Sequence, residues 1–390
     1  MILLLLSYVT PSMLYMASAP VSELARTFWP TDDAQIYQKY PDSNYGGLTW
    51  VAVQSATSEN CRGLLRFDLS NIPPGAKVIS ARVYLFKYIA PSVSRTYYCH
   101  PASSSWSESS LTWNNQPGIY TTGSTTVIGT TPSTWSNWDV ASSVQKFAAR
   151  DAASAASNYG WKIGDNSEGS VTTYQSFFYS KEHSDAAYRP YLRLTYYPPH
   201  LELQTYGSSF VAGNWVKMTV NRKDYDNNPI TRGNLNVKMT STSTSLNKKF
   251  SLSEGGAAIT SLVIPDGSSS KDFWYYDDKA GTWTIQAFTD DYMYYVSGVP
   301  PYMIFEMNYG DDKAQQTVNP AALDRFVLNT ISSPKTAGEA FMITITAKDV
   351  YGGFFIFEPD PMKGANQLIN VLKYRRWQLG LSPDPVGVYC

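Results

Sequence analysis

In LLRFDLSNIPPGAKVISARVYLF, residues 64–86 of this 390-residue chain, apolar side chains recur at every second position on both sides of a Pro-Pro-Gly turn. A strand sends successive side chains to opposite faces, so Leu65, Phe67 and Leu69 share one face, while Leu64, Arg66 and Asp68 share the other. In the second run Ile79, Ala81, Val83 and Leu85 form a matching apolar face, and Asn71-Ile72-Pro73-Pro74-Gly75 reverses the chain between the two runs. A period of two selects strands over helices, and each such strand has an oily face that must be covered by a second sheet.

The same grammar continues over residues 25–197. LTWVAVQ, GLLRFDL, KVISARVYLFKYI, STTVIGT, GWKIG, YQSFFYS and PYLRLTYY read as short strands parted by Gly, Pro, Asn and Ser, which is the pattern of a β-sandwich. One exception is WDVASSVQKFAARDAA, where Val140, Val144, Phe147 and Ala148 fall on one helical face behind Asp139 as N-cap. The 29 Tyr and 11 Trp suit strands with one wet face, and the length allows two or three domains. The balance of 31 Lys+Arg against 32 Asp+Glu gives no field for nucleic acid or an anionic membrane, so no nucleic-acid partner is expected.

Residues 1–19 hold an apolar stretch, Ile2 to Val9, then Pro11 and the small residues Ala17, Ser18 and Ala19, as in a secretory signal. The usual positive n-region is missing, which leaves a truncated or wrongly chosen start open. No later run has the length of a membrane-spanning helix, so a secreted or cell-surface protein is expected. Three cysteines cannot all pair within one chain: a Cys61–Cys99 bridge is one expectation, with Cys390 free or intermolecular.

NYGG (44–47), residues 64–85, WSESSLTWNNQP (106–117), WDVASSVQKF (138–147), NYGWKI (158–163) and YSKEHSDAAYRPYLRLTY (179–196) occur in an order that resembles the DNRLRE domain, a family similar to carbohydrate-binding module family 96. That resemblance implies a jelly-roll-type β-sandwich in secreted or surface-attached proteins, often beside enzymes acting on polysaccharide or beside adhesive repeats.

Beyond a Tyr-Pro-Pro-His linker at 197–200, FVAGNWVKMTVNRKD (210–224) and KTAGEAFMITITAKD (335–349) repeat with a shift of 125 residues, the signature of tandem modules. FWYYDDKAGTWTIQAF (273–288) reads as strand, turn, strand, and with Gly281 to Thr284 resembles the closing strands of bacterial and archaeal immunoglobulin-like repeats. The expected organisation is an immunoglobulin-like module over residues 201–300, a linker over 301–323, and the incomplete start of a second such module over 324–390. The last stretch loses the alternation, which leaves either a third module cut short or a docking helix over Gln367 to Trp377.

A glycosidase needs two carboxyl groups across a cleft, one with a raised pKa. Asp32, Asp33, Glu108, Glu168, Glu182 and Asp185 sit among Ser, Gly and Asn, where solvated loop carboxylates are expected, and no Ser/His/Asp, Cys/His or zinc-ligand spacing occurs. The expectation is therefore a non-catalytic chain. Sugar binding needs aromatic faces with a few polar groups. Trp113 and Trp138, beside apolar residues, read as core; Trp50, Tyr97, Trp106 and Trp135, beside Ser and Thr, read as wet-surface candidates. Arg62, Arg66, Arg82 and Lys87 are candidates to meet uronate carboxylates, but an Arg66–Asp68–Arg82 cross-strand network that merely holds the sheet is the commoner use of such residues.

No cofactor is required by this reading. A structural calcium is an option at the oxygen-rich segments that contain Asp32 and Asp33, Asp42, and Asp165. DYDNN (224–228) begins like a calcium loop, but Pro229 stands where an EF-hand needs Gly. The expected function is binding of carbohydrate or an envelope polysaccharide by the first domain, displayed on immunoglobulin-like spacers. The alternative is a purely structural surface protein, adhesin or envelope subunit, with protein partners only.

Overall fold

The computed structural model describes residues 23–149, 156–289, 292–295, 303–306, 309–330, 333–334, 336 and 344–354. The expected leader over residues 1–19, the candidate docking helix over 367–377 and Cys390 lie outside the described residues. Eleven strands come from the first half: β1 (Leu24–Phe28), β2 (Pro30–Tyr37), β3 (Trp50–Ser55), β4 (Cys61–Phe67), β5 (Lys77–Ile89), β6 (Arg95–Pro101), β7 (Ser124–Ile128), β8 (Thr134–Asp139), β9 (Trp161–Asp165), β10 (Tyr174–Tyr179) and β11 (Tyr191–Tyr197). Every run read as a strand before residue 197 is one. β1, β2, β6 and β8 carry no clear strand signal in the sequence, because polar residues interrupt their apolar positions.

The strands pair antiparallel in the order β1-β11-β5-β10-β3-β4-β9-β6-β7, with β2 added on β4 and β8 on β5. The sheet curls over one core, in which Leu65 and Phe67 of β4 meet Val83 and Leu85 of β5, Trp138 of β8 and Trp161 of β9. The fold is an all-β sandwich. Helix α1 (Ala141–Ala149) closes the core with Val144 and Phe147, and Asp139 Oδ1 accepts the Ala141 N–H at 2.9 Å. Such a side-chain acceptor satisfies one of the orphan donors of the first helical turn.

Three expectations fail here for local reasons. Ile79 is 45% exposed, because the β5–β11 register skips it: Thr195 faces Ser80 and Tyr196 faces Val78. This bulge reverses the alternation, and Val78 packs on the core instead. Cys61 and Cys99 are buried free thiols, since β9 runs between β4 and β6 and keeps their strands apart, and only Cys99 belongs to the main core. Asp32 and Asp33, expected in a loop, belong to β2.

The second unit stacks two sheets over its own core. One contains β12 (His200–Thr205), β14 (Trp215–Lys223), β18 (Ser270–Tyr276) and β16 (Lys249–Ser251) in that order. The other holds β13 (Ser209–Val211), β22 (Asp312–Asn319), β19 (Gly281–Phe288), β15 (Leu235–Ser241) and β17 (Ser261–Ile264). Residues 312–319, expected in a linker, are thus a strand between β13 and β19. The segment 273–288 holds the two strands read from it, and β18 and β19 enter opposite sheets. A separate pair, β20 (Tyr292–Tyr295) with β21 (Met303–Glu306), precedes β22.

The 125-residue repeat survives in three dimensions. β23 (Leu323–Leu328) pairs with β24 (Ile345–Asp349) so that Arg325 faces Lys348 and Phe326 faces Ala347, as His200 faces Lys223 and Leu201 faces Arg222 between β12 and β14. The turns that follow also coincide. Asp224 Oδ1 accepts the Asn228 N–H at 2.8 Å, and Asp349 Oδ1 accepts the Gly353 N–H at 2.6 Å. Asn227 and Gly352, at the same place in each turn, both take positive φ, 66° and 87°. Each turn abuts the preceding unit: Tyr225 stacks on Tyr197 at 4.3 Å and Asp226 pairs with Lys77 at 2.8 Å, while Tyr351 lies against Gly213.

Candidate functional site

Alternation along β5 sends Ala81, Val83 and Leu85 inward, so Arg82, Tyr84, Phe86 and Tyr88 must point outward. The neighbouring strands add aromatics to the same face. Tyr84 stacks on Tyr191 of β11 with ring centroids 4.7 Å apart, Phe86 on Tyr179 of β10 at 5.8 Å, and Tyr88 on Tyr179 at 4.5 Å. Trp135 of β8 meets Phe86 and Tyr191 edge to face at 5.3 and 5.1 Å and is 37% exposed. On the other side of Tyr179, Trp50 of β3 is its direct cross-strand partner. The loop after β10 raises a wall, where Tyr188 is 39% exposed and His183 lies 3.7 Å from the Tyr179 ring.

Polar groups border this stripe. Arg82 donates to Asn137 Oδ1 at 2.7 Å and approaches Asp139 at 4.0 Å, and Arg193 is its cross-strand neighbour on β11. Aromatic rings beside planar hydrogen-bonding side chains suit the apolar face and the hydroxyls of a sugar. Stacked pairs hold one another upright, and neither neighbour stacks face to face on Trp135.

Of the six candidate sugar contacts, the structure brings Trp50, Trp135 and Arg82 to this face and puts Tyr97, Trp106 and Arg66 elsewhere. Tyr97 is fully buried, with its hydroxyl 2.9 Å from Ser176 Oγ. Trp106 is 8% exposed and donates its indole N–H to the Tyr159 carbonyl at 2.7 Å. It belongs to a second small core, with Ile36, Leu64 and Leu111, made where the segment after β6 folds over the outside of β4. The expectation of a wet surface fails because Ser and Thr neighbours in sequence say nothing about a segment laid back on the sheet. Trp138 is core as expected, and Trp113 packs partly buried under the Arg62 guanidinium at 4.4 Å.

The expected Arg66–Asp68–Arg82 network is also corrected. Arg66 pairs with Asp32 at 2.7 Å, Asp68 caps the Ser70 N–H at 2.8 Å, and Arg82 lies on another strand and face. Arg66, Asp32 and Asp68 line a cleft of about 910 Å³ that Arg232 of the second unit completes. Lys87 points inward and donates to the Gly129 carbonyl at 2.6 Å; burial lowers its pKa. Arg62 pairs with Glu168 at 2.6 Å.

The four aspartates considered for calcium do not converge. Asp42 is exposed and accepts from Asn114, Asp165 is buried in a two-pronged pair with Arg95, and Asp32 and Asp33 leave β2 on opposite faces. Among the described residues no three His, Cys, Asp or Glu side chains gather to hold a metal. Asp33 is instead 1% exposed, its Oδ2 accepting the Lys181 N–H at 2.7 Å. Burial pushes its carboxyl well above the ordinary range against the pull of that N–H, and the facing Glu182 adds to the rise. Lys181 Nζ bridges Glu182 and Glu108, at 2.8 Å from the latter. A raised carboxyl beside an ionised one is the electrostatic signature of a general acid, but a sugar oxygen does not reach Asp33 without opening the fold.

Two Asn-Tyr-Gly turns fix the covering segments. Asn44 donates to the carbonyls of Glu108 and Leu111 at 2.7 and 2.8 Å, and a Cβ on Gly46 would stand 2.4 Å from the Glu108 oxygen. Asn158 donates to the Phe67 carbonyl at 2.7 Å, and Gly160, at φ 76°, lets the chain pass the Leu65 carbonyl where a Cβ would stand 2.0 Å away. Only glycine fits either approach.

The fold is a β-sandwich with aromatic rings gathered on one outer face. Residues 25–196 match the model of carbohydrate-binding module family 96, so this part of the chain is a carbohydrate-binding-module-like domain. A 48-residue stretch, 12% of the chain, is 50% identical to the carbon monoxide dehydrogenase/acetyl-CoA synthase subunit beta of Moorella thermoacetica, of which it spans 7%. Among solved structures, the Yersinia pseudotuberculosis adhesin InvE is 12% identical with a TM-score of 0.23, over 39% of this chain and 45% of that one. Domains 1–6 of surface layer protein SbsC are 11% identical with a TM-score of 0.20, over 86% and 45%.

Proposed function

We propose that the first domain binds a polysaccharide chain along the outer face of β5, β8, β10 and β11 without cleaving it. The observation that carries this reading is the aromatic stripe from Trp135 through Phe86 and Tyr179 to Trp50, bordered by Arg82 and Arg193. The family match over residues 25–196 supports it. In this reading the protein works outside the cell, at a surface, and the second and third units are spacers of immunoglobulin-like type that hold the domain away from its anchor point.

Depletion of the full chain from solution by insoluble and immobilised soluble polysaccharides tests the proposal. Binding to at least one neutral or acidic glycan is expected, with affinity reduced about tenfold or more in Trp135→Ala and in Tyr179→Ala, since an aromatic contact of this kind is worth about 1–2 kcal/mol. Uptake that is unaffected by both substitutions overturns the assignment of the face.

A second reading, an envelope or fibre subunit with protein partners only, is favoured by one observation: the 125-residue repeat keeps both its strand register and its turn. Silence across glycans together with concentration-dependent assembly of the full chain selects this reading over the first.

A further inference from the structure

The second unit carries an aromatic face of its own, on the sheet of β12, β14, β18 and β16. Register places Lys249, Tyr276 and Trp215 in one cross-strand row and Ser251, Trp274 and Lys217 in the next, all on the side away from the core residues Val216, Met218, Phe273 and Tyr275. Trp215 and Tyr276 lie 5.3 Å apart, tilted by 51°, and the Lys249 ammonium sits 5.2 Å from the centre of each ring. Lys217 lies 5.2 Å from the Tyr206 ring and forms an ion pair with Asp272 at 2.7 Å. No carboxylate among the described residues pairs with Lys249. A cation held over two rings without an anion is an incomplete arrangement: the rings fix the ammonium in place, and its charge is left for an outside partner.

We propose that this face binds an acidic polysaccharide, with a uronate carboxylate on Lys249 and the apolar side of the sugar ring against Trp215 and Tyr276. Charge selects the occupant, since a neutral chain leaves Lys249 unanswered and a basic one is repelled. A chain bound here and on the first domain is held at two points, so each site raises the effective concentration of the other. The proposal extends beyond the first-domain reading and stands on different residues.

The test uses the full chain carrying Trp135→Ala and Tyr188→Ala, so that uptake reports the second face. Immobilised polygalacturonate and its fully methyl-esterified form are the probes. Expected are binding to polygalacturonate that weakens with salt, little binding to the esterified polymer, and a loss of about tenfold on adding Lys249→Met or Trp215→Ala, with the melting temperature retained by Lys249→Met. Three results overturn the proposal: no uptake of polygalacturonate, equal uptake of the ester, or uptake indifferent to Lys249→Met. Self-association of the chain without glycan, abolished by Trp215→Ala, also overturns it and makes the face a contact between copies.

Discussion

Asp33 and Glu182 set two carboxyl groups against each other inside the fold, where Asp33 Oδ1 and Glu182 Oε2 are both buried and no other group hydrogen-bonds them, so that one proton shared between the carboxyls satisfies both. Burial alone would push Glu182 up, yet the Lys181 ammonium and the Ser180 hydroxyl hold it below its ordinary value, so the extra proton belongs to Asp33. A group whose pKa is raised on folding stabilises fully below its unfolded value, here 3.8, and loses that contribution as pH climbs through the folded one.

Asp33→Asn, which keeps the acceptor for Lys181 and offers Glu182 a donor, is therefore expected to melt a few degrees above the parent near neutral pH. The gap should narrow as pH falls and close only below 3.8, where the parent carboxyl is protonated in both states. Melting curves followed by circular dichroism across that range check it; a variant that is less stable at neutral pH and equal in acid contradicts the paired-carboxyl account.

Trp106 and Trp135 are expected to separate stability from binding. Trp106→Ala removes a buried indole, its hydrogen bond to Tyr159 and the surface under Arg66 at 5.3 Å, a loss of about 3–5 kcal/mol. Trp135→Ala trims a ring that is 37% exposed and should cost about 1 kcal/mol or less. Urea titration of the first transition measures both. Equal losses would mean that Trp135 is part of the core.

Most strands were legible because period-two alternation is local, and β5 was readable from Lys77 to Ile89. The bulge at Ile79 was not, since the skipped residue is set by the partner strand β11. For the site, the same alternation that sends Val83 and Leu85 inward sends Tyr84, Phe86 and Tyr88 outward. A strand rich in apolar residues on both faces is the signal for this site, whereas aromatics beside Ser and Thr in sequence do not mark it. The burial of Trp106 and Tyr97 depends on contacts tens of residues away, which no local pattern encodes.

Cys61 and Cys99 make a redox prediction. Burial pushes the Cys61 thiol up to about 12 and raises Cys99 as well, so neither is a thiolate at neutral pH. In a Cys390→Ser chain, Ellman's reagent should label no thiol while the protein is folded and two after denaturation, and reductant should leave the melting temperature unchanged. A reductant-sensitive melt would show a bridge between them.

The repeated turn yields a prediction about how the units are joined. Asn227 and Gly352 stand at the same place in the two turns, both with positive φ, a conformation that costs a Cβ-bearing residue about 1 kcal/mol unless it is Asn or Asp. Asn227→Gly is expected to change stability by less than about 0.5 kcal/mol, because it reproduces the residue of the second copy, while Asn227→Ala should lose about 1 kcal/mol. Asp224→Ala should lose more, about 1–2 kcal/mol, since Asp224 Oδ1 and Oδ2 accept from Asn228 N and Nδ2 at 2.8 and 3.0 Å. The turn also carries Tyr225 and Asp226 to the first domain, where they meet Tyr197 and Lys77. Loosening it should therefore free the two units, visible as a longer maximum dimension in small-angle scattering of Asp224→Ala with Asn227→Gly unchanged. If Asp224→Ala leaves the scattering profile of the parent intact, the turn is only a local reversal and the joint is held by other contacts.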